Sequence, residues 1–280
     1  LGEVHLCEDV NDSAYDTPTC RGVRRGQGFR AHYSQNANRG RRNPEICGES
    51  GISPQNNCYE RARHLWHEIQ ENADAFYEPG RFTTFPAYEW TSNPPGYGHL
   101  HRNVVFRGTA VPEWGGSSVE MQNRPERLWE WLESACTGEC QVVAIPHNSN
   151  WSAGHMFERN WTNGDALNPE YAALRMRNEP LVEVTQVKGT SETHPLLSPN
   201  DEWADFEIWN EVTLDDGAGT PRRVEATDLE HIRGGYVRDA YMAGLRYEEN
   251  EGFNPYKFGM IGSSDGHNAL LGFFYLHLTQ

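Results

Sequence analysis

Apolar residues recur along this chain at two spacings, one of three to four residues and one close to two, between long polar stretches. From Tyr59 to Tyr77 the positions Ala62, Leu65, Ile69, Ala73 and Phe76 keep helical spacing, and Pro79 with Gly80 ends the run, which predicts a helix. A second helix is expected to open at Pro125, with Asn123 or Arg124 near its cap, and to run through Leu128, Trp129 and Leu132 towards Cys136. A third opens on Pro169 behind Asn168 and carries Tyr171, Leu174 and Met176. A longer helix is expected from Asp228 to Tyr247 on Ile232, Tyr236, Ala240, Ala243 and Leu245, with Gly234 and Gly235 weakening it. Strand-like runs cover Phe82 to Tyr88, Val104 to Phe106, Gln141 to Pro146, Leu181 to Val187, Tyr256 to Ile261 and Leu271 to Gln280. Residues 1 to 58 show little periodicity and read as a long polar, Cys-rich loop excursion with room for one short helix.

Several of these strands meet residues that can bind a metal. The first ends at Glu89, the third at His147 followed by Asn148 and Asn150, and the strand from Tyr256 leads into Ser263, Ser264, Asp265, Gly266 and His267. Residues i and i+2 of an extended segment point the same way, so the Asp265 carboxylate and the His267 imidazole can reach one cation. His99 and His101 share a face just before Val104, and His101, against the strand, is the better-oriented ligand. The plain alternatives are an exposed Asp-Gly turn, a strand-end surface carboxylate and solvated loop histidines. On the strand from Leu181, Glu183 either points into a site or faces solvent. Lys188, opening the polar loop to Glu202, is a candidate for an anionic group or an ordinary surface lysine. His64 and His67 read as surface residues of the first helix. Strands alternating with helices, with polar residues at strand ends, predict a barrel-type α/β hydrolase in one domain spanning residues 1 to 280.

Composition narrows the partners. Of 280 residues only 37% are hydrophobic, but nine Trp, twelve Tyr and eleven Phe provide large surfaces to bury. A net charge of −16 and the absence of a basic stripe argue against nucleic acid, and no apolar run reaches membrane-spanning length. Six cysteines, Cys7, Cys20, Cys47, Cys58, Cys136 and Cys140, lie in Gly-, Pro-, Asn- and Thr-rich segments without Cys-x-x-Cys spacing, which favours disulfides over a zinc knuckle and hence a periplasmic or secreted setting. Which cysteines pair is open among fifteen connectivities. The start at Leu1 and the unclosed run at Gln280 are expected of an excerpt from a longer protein.

Distinctive segments are spread across nearly the whole chain: Phe82-Thr83-Thr84-Phe85-Pro86-Ala87-Tyr88-Glu89-Trp90-Thr91-Ser92, His101-Arg102-Asn103, Ile145-Pro146-His147-Asn148-Ser149-Asn150, Glu183-Val184-Thr185-Gln186, Leu197-Ser198-Pro199-Asn200-Asp201-Glu202 and Ser264-Asp265-Gly266-His267-Asn268. In this order they resemble the bacterial domain of unknown function 3604 family. That family in turn resembles the polymerase-and-histidinol-phosphatase superfamily of metal-dependent hydrolases. The resemblance implies a distorted (β/α)7 barrel, incomplete at both ends in this excerpt, with two or three divalent ions, Zn, Mn or Fe, at its strand ends. It makes Glu89 a bridging carboxylate, His101 and His147 separated ligands, and Asp265 with His267 the closing pair. An opening His-x-His strand is missing, so full activity is expected of the parent protein rather than of the excerpt.

The function expected on this basis is metal-assisted hydrolysis of a small anionic substrate, foremost a phosphate ester. Glu89 and Asp265 are the catalytic candidates, and Arg102, Asn148, Lys188 and Glu183 the substrate-binding ones. Two rivals stand beside it. One is hydrolysis of an amide, sulfate ester or carboxylic ester on the same metals. The other is an exported glycan-binding module whose Trp90, Trp114, Trp151, Trp161, Trp203 and Trp209 stack on sugars.

Overall fold

The computed structural model describes residues 2–26, 40–48, 57–157, 159–215, 221–225 and 229–266. The chain divides into two compact units, one of residues 1–97, 102–144 and 214–222, the other of residues 98–101, 145–213 and 223–280.

The first unit begins with three short helices, α1 (Gly2–Glu8), α2 (Pro18–Arg24) and α3 (Pro44–Cys47), where a loop with room for one short helix was expected. Their caps explain them. Thr17 Oγ1 accepts the Cys20 amide at 3.2 Å, and Asn43 Oδ1 accepts the Glu45 amide at 2.8 Å, each ahead of a proline at the first helical turn. Leu6, Ala14 and Ile46 pack around Cys7, Cys20, Cys47 and Cys58 in a small core. The cysteines pair with their nearest neighbours, Cys7–Cys20, Cys47–Cys58 and Cys136–Cys140. Helix α4 (Asn57–Ala75) follows, close to its expected span. Its Trp66 is buried, donates to the Pro112 carbonyl at 2.8 Å and meets Tyr88 edge-on.

Strands β1 (Ala87–Trp90), β2 (Arg102–Phe106) and β3 (Val142–Pro146) form one sheet in that order, with α5 (Pro125–Ala135) between β2 and β3 in sequence. β1 and β2 are antiparallel, with Glu89 opposite Asn103. Arg107 N–H donates to Gln141 O at 2.9 Å and His147 N–H to His101 O at 3.3 Å, so β3 also runs antiparallel to β2. The remaining strands are β4 (Leu181–Gln186), β5 (Gly189–Thr190), a two-stranded sheet of β6 (Glu211–Asp215) and β7 (Pro221–Glu225), and β8 (Gly259–Gly262). β4 is central in the second three-stranded sheet, antiparallel to β5 and parallel to β8.

This overturns the expected (β/α)7 barrel. The described residues form a mixed α/β structure of two separate three-stranded sheets and a two-stranded one, with no closed barrel. The cause lies in the connections. A parallel crossover takes a dozen or more residues, usually with a helix. The stretch from Thr91 to His101 carries Pro94, Pro95 and Gly96 and no helix, so the chain turns back antiparallel instead. The long fourth helix is also divided, into α7 (Leu229–Ile232) and α8 (Val237–Glu251). Gly234 sits between them at φ +79°, where a Cβ would lie 2.2 Å from the Gly154 carbonyl oxygen, and its own carbonyl accepts the Phe157 amide at 2.8 Å.

The second unit packs Met156, Phe157, Val182, Val237, Ala240, Tyr256 and Phe258 around β4. Helix α6 (Pro169–Asn178), capped by Asn168 Oδ1 on the Tyr171 amide at 2.9 Å, leads directly into that strand. Its Arg175 is buried, 3.0 Å from the equally buried Glu179, donates to the Met156 carbonyl at 3.1 Å, and lies against the Phe157 and Tyr256 rings at 5.3 and 5.1 Å. Burial alone would lower the guanidinium pKa, but Glu179 together with Tyr171 and Tyr256 outweighs it, so Arg175 stays charged.

Arg175→Met should cost about 3–5 kcal/mol in urea unfolding, because it strands a buried carboxylate, and adding Glu179→Leu should recover most of that loss. Replacing Cys7 and Cys20 together by Ala should cost about 3 kcal/mol, against about 2 kcal/mol for Cys136 with Cys140, whose sequence separation is 4 rather than 13. Both are read in denaturant unfolding of the purified variants.

Candidate metal centre

Two buried imidazoles frame the site. His101 directly precedes β2 and His147 directly follows β3, and the hydrogen bond between their backbones holds the rings edge to face at 5.7 Å. His99 stacks on His101 at 4.5 Å and meets Trp151 edge-on at 5.1 Å, while its amide donates to the Trp151 carbonyl at 2.9 Å. Gly98 permits this approach, since a Cβ there would stand 2.1 Å from the Trp151 oxygen. After His147 the chain enters the left-handed region at Asn148, φ +55°, and makes a 3-10 turn over Ser149–Trp151. That turn is tied down by Asn150, whose amide donates to Ser191 Oγ at 3.1 Å and whose side chain donates to the Lys188 carbonyl at 3.0 Å.

Carboxylates come from the second sheet. Glu183 on β4 is buried rather than solvent-facing. Burial raises its pKa, and the His147 and Lys188 charges with hydrogen bonds to Ser263 and Gln186 pull partly the other way. Its Oε1 and the Asn148 Oδ1 are buried acceptors with no hydrogen-bond partner among the described residues. Asp265, just beyond β8 and also in the left-handed region at φ +48°, accepts from Gln186 Nε2 at 3.0 Å and Asn148 Nδ2 at 3.4 Å, and pairs with Lys188. Backbone bonds from Ser263 to Thr185 and from Val187 to Ser264 continue the β4/β8 pairing to this point.

Glu89 is the third residue of β1, rather than the residue after a strand. His101 and His147 each offer a ligand atom, and these lie within 4.8 Å of each other. Glu3, Cys47 and Cys58 make a similar group, but both sulfurs are committed to a disulfide and give no thiolate. His267 lies outside the described residues. Arg102 is buried with its guanidinium over Trp90 at 5.9 Å, and Lys188 is engaged by Asp265. Gln186, which sequence reasoning passed over, links the two carboxylates by bonding to both Glu183 and Asp265. A polar residue closing a strand beside Glu183 was the signal for it.

The donor set suits a borderline divalent cation: neutral imidazole nitrogens, carboxylate oxygens and an amide oxygen. An orphaned buried acceptor costs about 1–3 kcal/mol, and a cation would satisfy it.

The chain belongs to a family described as "Protein of unknown function (DUF3604)", whose sequence model matches residues 1–273. No curated protein and no solved structure matches the chain.

With its folded pKa raised, Glu183 keeps a proton in the folded chain at pH values where the unfolded chain has released it. Metal-free protein should therefore lose stability as pH rises from about 4.5, the ordinary value for the group. Glu183→Gln should flatten that slope in urea midpoints measured across pH, and should make the metal-free protein more stable near neutrality.

Proposed function

We propose that this chain carries a divalent metal centre of a hydrolase, acting foremost on a phosphate ester. The observation that carries the reading is the unpartnered Glu183 oxygen, buried beside His147 in a setting otherwise rich in metal-ligand chemistry. His101, His147 and Glu183 would hold the cation, with Asp265 as a further carboxylate. The order of Glu89, His101, His147 and Asp265 along the chain supports a relationship to the polymerase-and-histidinol-phosphatase superfamily in ligand chemistry. A Zn, Mn or Fe ion bound there supplies positive charge that acidifies water and withdraws electrons from the scissile group.

The chain's own residues do the rest. Asp265, oriented by Gln186 and Asn148, receives the proton of the attacking water. Lys188, paired with it, balances that carboxylate and offers an ammonium to the phosphate oxygens. His99, stacked on His101, limits rotation of that ligand ring. Three disulfides and the lack of a membrane-crossing helix among the described residues support an extracytoplasmic setting for this chemistry.

After dialysis against Zn or Mn, the protein should retain stoichiometric metal by mass spectrometry of its elements, and His147→Ala should lower the affinity at least about tenfold. Hydrolysis of p-nitrophenyl phosphate should fall with it. Equal metal content in the wild type and His147→Ala would sink the assignment.

A further inference from the structure

Away from these residues, the first unit holds an open groove of about 720 Å³. One wall is the outward stripe of α4 that carries Gln70, Glu71 and Asp74, extended by Tyr77 just past the helix end. The other is formed by the segment that carries Phe85 and by the turn after β2 that carries Arg107. Four aromatic side chains within ten residues, Phe76, Tyr77, Phe82 and Phe85, are 65%, 48%, 58% and 49% exposed. This chain buries Trp66, Trp90 and Phe106 but leaves these four neighbouring rings in water, with Tyr77 and Phe85 on the groove walls, and such a patch marks a contact surface.

The chemistry of the walls selects the occupant. Glu71 and Asp74 oppose an anion, Arg107 opposes a cation, and the two carboxylates would lose their water under an apolar partner. A neutral polyhydroxylated chain meets every requirement. Its hydroxyls donate to the carboxylates and accept from Arg107 and Gln70, while its C–H faces stack on Tyr77 and Phe85. We propose that this groove is a binding site for a neutral oligosaccharide, separate from the candidate metal centre and independent of it.

Calorimetric titration with cellohexaose, laminarihexaose and chitohexaose tests this. At least one should bind saturably, and Tyr77→Ala and Phe85→Ala should each weaken it about tenfold. Asp74→Asn should weaken it as well. All three side chains are exposed, so thermal unfolding of the variants should match the wild type. His147→Ala should bind the sugar unchanged, which keeps this result apart from the fate of the metal assignment. Lack of saturable binding to all three sugars overturns the proposal. So does affinity unchanged in Tyr77→Ala and Phe85→Ala, loss of binding in His147→Ala, or preference for heparin or a polylysine peptide.

Discussion

Much of the second unit depends on one guanidinium that has no water to return to. Arg175 is enclosed by Glu179, the Met156 carbonyl and the Phe157 and Tyr256 rings, so each of its neighbours must arrive in one position. Those neighbours come from three stretches of chain, and Met156, Phe157 and Tyr256 belong to the core that packs against β4. A buried ion pair of this kind adds little net stability over a well-packed apolar replacement, but it penalises every arrangement in which one partner is missing. Its effect is on register: α6 must end where it does, β4 must start at Leu181, and Glu183 must point inwards.

That registry concentrates polar groups where burial is most costly. His147, Asn148, Ser149, Asn150, Glu183 and Ser191 are all buried within a short distance in sequence of a strand end or tight turn. Asn148 and Asp265 adopt left-handed backbone, which residues with a Cβ enter at a cost and which accumulates at functional positions. Hydrogen bonds from Asn150, Ser191 and Gln186 hold these conformations in place. Unsatisfied acceptors beside imidazoles, with the surrounding polar groups tied down, are what a preformed cation site requires.

The aromatic residues divide along similar lines. Trp90 is buried under Arg102, and Trp151 lies between His99 and Trp209, so these two are parts of the packing. Trp203 and Trp209 are the exposed tryptophans among the described residues, at 72% and 40%. Exposed rings and hydrogen-bonding groups occur together instead at the Tyr77 and Phe85 walls.

What the sequence determined by itself was local. Helices at Tyr59, Pro125 and Pro169 could be read because a 3.6-residue apolar period and a proline or asparagine at the start act within one turn. Candidate ligands at strand ends were legible for the same reason, since the apolar run and its polar terminus are adjacent in the chain. Tertiary structure decided the rest. Antiparallel return through the Pro94–Pro95 segment replaced the barrel, and it still gathers the carboxyl side of β1, the amino end of β2 and the carboxyl end of β3 at one edge of the sheet. The break at Gly234 depends on a carbonyl eighty residues away, and the burial of Glu183 on the pairing of β4 with β8. Periodicity reports which face of an element is apolar, but not which distant backbone will lie against it, and that contact set both the strand directions and the charge state of the site.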